Sequence, residues 1–302
     1  MEDESNERAV AGILRDTITD EIFAAFGLAS RGLPRRLFGP VFWLPAQIFG
    51  RIMAGIDRTV GEQGVPEAAK RLLTYFVDDI QVAGKENIPL EGPVLIASNH
   101  PGAYDSVAIL ACLPRKDIKA VVSDIPFLRS MPAASRMMVY ATPGAQGRMT
   151  AVRGVMRQMQ AGGSLMIFPS GLVDPDPDVL PDAEKELDSW SGSLDLVMKK
   201  VPETKIIVTI VSSVLSPVCL RNPLTRLPKK EWEKRKLAEF LQVIQQLALK
   251  RKFGLKPRLT FDVAMTGSEL LAQSESPDLH QAIIERARQV LKIHMDAAPS
   301  SG

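Results

Sequence analysis

His100 and Asp105 stand five positions apart, directly after the apolar run Val94-Leu95-Ile96-Ala97-Ser98. A strand that ends on an imidazole, with a carboxylate where a helix should begin, suits a general base held in one tautomer by an acidic neighbour. Of the three histidines in the chain, only His100 has an apolar strand before it and a carboxylate so close behind. A second use of the aspartate is open, as the N-cap of a helix over 106–112. About seventy residues on, another apolar run leads into Phe168-Pro169-Ser170-Gly171. Backbone amides in a turn after a strand can face an anion or an oxyanion, and a plain strand-to-loop turn has the same composition.

Both segments need a scaffold that brings strand ends together. Residues 93–98, 118–123, 137–141, 164–168 and 205–211 read as strands, and 205–211 (Lys-Ile-Ile-Val-Thr-Ile-Val) is continuous and β-branched. Helices are expected over 105–113, 150–160, where Gly162-Gly163 supplies the stop, and 194–199. Near-continuous apolar strands separated by helices imply an α/β fold, with a mixed, mostly parallel sheet covered on both faces. Residues 258–265 alternate apolar with polar, as an edge strand would. A helix over 231–252 carries Leu237, Phe240, Leu241, Ile244 and Leu247 on one face; residues 229–252 hold eight bases and three acids. That charge is either a solvated face or a surface for an anionic donor or lipid. A last helix is expected from Ser276-Pro277-Asp278, with His280 and His294 as partly exposed residues on it.

The first 30 residues carry seven acids and two bases, with apolar positions at helical spacing. Residues 31–51 combine Phe38, Phe42, Trp43, Phe49, three prolines and flanking arginines. This composition fits a segment lying at a lipid interface, and equally a buried helical hairpin. The chain thus divides into an N-terminal helical region, 1–80, and an α/β region with a C-terminal helix, 81–302. With 302 residues, 45% apolar and 24% charged, a large core is affordable and general disorder is excluded. The net charge of +2 gives no field pointing to nucleic acid. Cys112 and Cys219 lie far apart without metal-ligand spacing and read as buried free thiols. No run reaches the ~20 apolar residues of a membrane span, and no signal peptide is read in the acidic N-terminus. The expected location is cytoplasmic, peripheral at the inner face of a membrane.

Asn99-His100 with Asp105, then Phe168-Pro169-x-Gly171, then the apolar strand 205–211 resembles the glycerol-phosphate and lysophosphatidate acyltransferase superfamily. The resemblance covers roughly residues 80–215 and rests on order, spacing and strand context together. It implies transfer of a fatty acyl group from acyl-CoA or acyl carrier protein to a hydroxyl of a lipid-type acceptor. His100 would then take the hydroxyl proton and Asp105 would orient the ring, with substrate contacts from Asn99, Gly102, Phe168, Pro169, Ser170 and Gly171. Neither metal nor cofactor is implied beyond the acyl donor as co-substrate. Two departures stand out. Ser170 replaces the family's glutamate, and the arginine expected after the middle strand is missing at Tyr140-Ala141-Thr142-Pro143, which leaves Arg148 on a Gly-rich loop as the nearest phosphate ligand. These departures keep open a non-catalytic lipid-binding relative. An acyl thioesterase that uses His100 on water is a further reading, since no Gly-x-Ser-x-Gly elbow supplies a serine nucleophile.

Overall fold

The computed structural model describes residues 2–27, 32–250 and 252–297. Three helices come first: α1 (Glu2–Ala25), α2 (Leu33–Gln63) and α3 (Val65–Phe76). Strands and helices then alternate through β1 (Gln81–Ala83), β2 (Val94–Ser98), α4 (Asp105–Cys112), β3 (Ile118–Ser123), α5 (Pro126–Arg129), β4 (Met138–Ala141), α6 (Ala145–Gln160) and β5 (Ser164–Ile167). Short helices α7 (Ala183–Glu186) and α8 (Ser193–Lys200) precede β6 (Lys205–Ser212), followed by α9 (Pro217–Leu220), α10 (Glu231–Leu249), β7 (Arg258–Phe261), α11 (Gly267–Gln273) and α12 (Leu279–Asp296).

The seven strands form one sheet in the order β1-β7-β6-β2-β5-β3-β4. Every neighbouring pair is parallel except β6 with β7. The sheet is therefore mixed and mostly parallel, as the sequence led one to expect. β2 lies at its centre, and all five of its residues are buried. Val94 and Ile96 point into one core with Ile207 and Val211, beneath α3, α4 and α10. Leu95 and Ala97 point into the other with Val208 and Ile210, beneath α6, α8 and α12. A strand with two covered faces has no polar side to show, hence its uninterrupted apolar sequence.

Four local expectations change. The 258–265 strand is interior, paired on one side with β1 and on the other with β6. Its regular part stops at Phe261, and Met265 joins through a single bridge to Ile206. Helix α6 begins at Ala145 because Gly144 (φ 92°) turns the chain there, so the Gly-rich loop assigned to Arg148 is the first turn of a helix. Gly147 is needed for closeness: a Cβ there would stand 2.2 Å from the Thr142 carbonyl oxygen. Helix α12 is capped by Asp278, whose side chain accepts the His280 N–H, and not by Ser276. His294 is 1% exposed rather than partly exposed.

Helix α2 runs unbroken through Pro40 and Pro45 and pairs antiparallel with α1. The two cross closely at Gly50, where a Cβ would lie 2.7 Å from the Ala11 carbonyl oxygen. Asp57 of α2 accepts the Ala133 and Ala134 amides at 3.0 and 2.8 Å, which ties the helical layer to the sheet's β3–β4 connection. One side of α2 is buried through Phe42, Ala46 and Met53, while Leu37, Val41, Trp43 and Leu44 stand exposed on the other. The buried-hairpin reading of the 31–51 segment thus holds for one side of α2, and the other side is apolar and exposed; Arg31 falls outside the described residues.

Candidate active site

His100 leaves the carboxyl end of β2 with its ring Nδ1 2.7 Å from Asp105 Oδ2. Asp105 is the first residue of α4 and is fully buried. Its Oδ2 also accepts the Gly102 N–H at 3.0 Å, and its Oδ1 accepts the Ser106 N–H. The carboxylate thus serves the helix start and the imidazole together, while Tyr104 holds the N-cap position. An ionised carboxylate can only accept, so the shared proton sits on Nδ1 and Nε2 is the nitrogen left free for a substrate. The ring stays 27% exposed, enough to be reached.

Phe168 stacks on that ring, with centroids 4.2 Å apart and planes at 14°. The Phe-Pro-Ser-Gly turn is thereby brought against His100. Gly171 closes it, at φ 68°, by donating its N–H to the Phe168 carbonyl at 3.1 Å. The Pro169 carbonyl accepts the Ser191 N–H, and the Ser170 hydroxyl donates to the Leu172 carbonyl at 3.2 Å. Gly102 is small because space is short: a Cβ there would lie 3.3 Å from Val214 and 3.5 Å from Glu239 Oε1.

Two expected substrate contacts fall elsewhere. Asn99 is buried and both ends of its amide are engaged by Val211, with Oδ1 accepting the N–H at 2.8 Å and Nδ2 donating to the carbonyl at 2.9 Å. It braces β2 against β6, in place of the substrate contact expected of it. Arg148 lies exposed on α6, after β4, three strands away from β2. At about 4.8 Å per strand this is roughly 14 Å across the sheet.

The structure adds two carboxylates. Asp174 pairs with His100 through the backbone, accepting its N–H on Oδ2 at 2.8 Å and donating its own N–H to the His100 carbonyl at 2.7 Å. Glu239 comes from α10, its carboxylate beside Gly102. The sequence carried faint signals of both. Asp174 opens the run Asp174-Pro-Asp176-Pro-Asp178, and Glu239 interrupts the apolar face of α10 next to Phe240. Glu239 also lines an apolar cavity of about 220 Å³ among α1, α2, α5, α10 and the loop after His100, with Ile22, Phe49, Ala103, Phe127, Phe240 and Leu247. A larger and more polar groove, about 770 Å³, runs between α6 and the outer strands past Lys119, Arg129 and Arg157, and none of the site residues lines it.

The electrostatics follow from this crowd of acids. Burial pulls the His100 pKa down, but the charge and hydrogen bond of Asp105 outweigh it, helped by Glu239 and Asp174, and leave it at about 9 against an ordinary 6.5. Burial raises Asp174 to about 6, against the Ser170 hydroxyl, the His100 amide and the imidazole charge, which lower it. Burial likewise raises Glu239 to about 7, with His100 pulling the other way. Among the described residues no cluster of histidine, cysteine and acidic side chains could hold a metal ion.

Residues 79–213 match the family model described as Acyltransferase. No curated protein matches the chain. Among solved structures, a crystal structure of the 1-acyl-sn-glycerophosphate (LPA) acyltransferase PlsC from Thermotoga maritima is similar at 14% identity and a TM-score of 0.47, covering 99% of this chain and 100% of that one.

Proposed function

We propose that this chain, whose residues 79–213 match the acyltransferase family model, moves a fatty acyl group from a thioester donor to the hydroxyl of a glycerolipid-type acceptor. The observation that carries this reading is the His100–Asp105 pair, with Nε2 free and the ring pressed on Phe168. His100 Nε2 takes the acceptor's hydroxyl proton as the oxygen bonds to the thioester carbonyl carbon. Collapse of the tetrahedral intermediate breaks the C–S bond, and the imidazolium returns the proton to the departing thiolate. The products are an ester and the free thiol of CoA or of the carrier protein. Asp105 keeps Nδ1 protonated and steadies the imidazolium.

The oxyanion needs donors that are not already spent. The amides of His100, Gly102 and Gly171 are engaged by Asp174, Asp105 and Phe168. Ala103 and Ser170 have no such acceptor among the described residues, and Ala103 also lines the apolar cavity. A thioester with its chain in that cavity would bring its carbonyl past the Ala103 N–H.

No helix among the described residues is long and apolar enough to cross a membrane. The exposed Leu37, Val41, Trp43 and Leu44 of α2 favour a peripheral contact with a lipid surface, next to the helices that wall the cavity. Replacing Trp43 and Leu44 by aspartate should lower flotation with phospholipid vesicles several-fold; unchanged flotation would assign this face another role.

The decisive measurement is transfer of a labelled acyl group from acyl-CoA and from acyl carrier protein to a panel of lipid hydroxyls, wild type beside His100→Ala. Equal rates for the two proteins would refute the mechanism. The uncharged Ser170 and the apolar cavity favour one second reading, a lipid-binding relative without turnover. Tight binding of acyl lipid with no His100-dependent product would select it.

A further inference from the structure

Glu239 is the feature of the site that the acyltransferase match leaves out, since it lies 26 positions beyond residue 213 on α10. The other named walls of its cavity are apolar. Among the described residues its carboxylate makes neither a hydrogen bond nor an ion pair; the positive charges that act on it are His100 and, more weakly, Lys236, one turn back and exposed. A carboxylate turned into an apolar space without a partner is costly unless something arrives to pair with it. It stands in contact distance of Gly102, hence beside the imidazole loop.

A second, independent observation points the same way. Asp174 is 2% exposed, and while its Oδ2 holds the His100 N–H, its Oδ1 is buried without any partner. The charges that act on His100 are those of Asp105, Glu239 and Asp174, all carboxylates. The basic groups expected to hold a phosphate are absent from this set: Arg148 is three strands away, and Arg235 is spent on the Val173 carbonyl and Glu186. A phosphate monoester brought to His100 would meet the three carboxylates around the ring, whereas an ammonium would meet Glu239, which no hydrogen bond or ion pair engages.

Resting on the acyltransferase reading, we propose that Glu239 is a specificity-determining residue and that the acceptor carries a cationic, ammonium-bearing headgroup in place of a phosphate monoester. The hydroxyl to be acylated sits at His100, the ammonium lies against Glu239, and any apolar tail follows the cavity wall. The same contact assists the chemistry. A cation beside Glu239 cancels part of the field that keeps His100 protonated, so acceptor binding itself favours the free base.

The test uses the full-length protein and three acceptors of equal chain length: a 1-acylglycerol, its 3-phosphate, and the analogue with a 3-trimethylammonium group, which cannot itself be acylated. Wild type should give the trimethylammonium compound a kcat/KM about 10- to 100-fold above the phosphate, the worth of one charge-assisted contact. Glu239→Gln, close to isosteric, should remove most of that advantage through KM and, by taking a negative charge from beside His100, move the pH midpoint for the neutral 1-acylglycerol to lower pH. Preference for the phosphate, or an equal loss on all three acceptors in Glu239→Gln, would overturn the proposal. Calorimetric binding of the trimethylammonium lipid to wild type and Glu239→Gln tests recognition without turnover. If neither protein transfers acyl groups to any acceptor, the acyltransferase reading fails; if they bind the cation equally, this inference fails alone.

Discussion

Two histidines of this chain sit in opposite circumstances. His100, at the carboxyl end of β2, has one ring nitrogen on a carboxylate and the other free, and keeps 27% of its side chain exposed. His294, on α12, is 1% exposed and has both nitrogens engaged, Nε2 with the Ser212 hydroxyl at 2.7 Å and Nδ1 with the Thr260 hydroxyl at 2.8 Å. Carboxylates push the first up to about 9; burial, then the Arg258 charge, push the second down to about 4. Hydroxyls hold an imidazole neutral and in place, whereas a carboxylate on one side leaves it basic and the other side open. The difference separates a histidine able to move a proton from one that joins β6, β7 and α12.

The comparison can be broken at four points. The largest effect is expected from His100→Ala, which should cut acyl transfer by about 10³-fold per folded molecule; His294→Ala should leave the activity of the folded fraction unchanged. Initial rates with labelled thioester, scaled to folded protein by circular dichroism, decide between them.

Asp105→Asn comes next, at about 10²-fold in kcat/KM, because the amide no longer stabilises the imidazolium. The pH profile gives it a second signature. For wild type the rate should rise with pH as His100 loses its proton, with a midpoint near 9 for the acceptor-free enzyme. In Asp105→Asn the midpoint should fall, since the charge that raised it is gone; an unmoved midpoint would mean that another group is being titrated.

Third is stability. His294→Ala leaves the Ser212 and Thr260 hydroxyls without an imidazole partner and opens a small cavity, and should cost about 2 to 3 kcal/mol in urea unfolding. His294 has its folded pKa depressed below 6.5, so its contribution is fully present above that pH and lost as the pH falls through about 4. The folding contribution of His100 has the opposite sign, present below pH 6.5 and lost as the pH rises through about 9. The smallest effect is Thr260→Val, about 1 kcal/mol for one hydrogen bond, with no change in transfer.

How much of this was legible in the sequence depends on how far apart the partners lie. β2 and β6 announced themselves because both their faces are buried, and His100 and Asp105 because only four residues separate them. Asp174 and Glu239 meet the same loop from 74 and 139 positions beyond His100, and no local pattern encodes such pairings. The interior place of β7 was hidden for a similar reason: its alternating sequence suits an edge, but β1, a strand of three residues, covers it. His294 was legible and passed over. It continues the buried stripe Ile283, Ala287, Val290 and Leu291 of α12, so its periodicity, rather than its residue type, gave its burial. The prolines of α2 misled in the other direction, suggesting an interrupted segment where tertiary packing against α1 sustains a continuous helix.

The reciprocal pairing of Asn99 with Val211, 112 residues apart in the chain, has a consequence in time as well as in space. A ribosome must deliver more than a hundred residues beyond the base before its seat can close, and the loop-closure entropy of that distance has to be met first. Partly folded or nascent chains therefore carry the histidine without the site. Pairing of β2 with β6 and seating of His100 therefore depend on the same long-range contact, and any activity that needs His100 would report that this contact has formed.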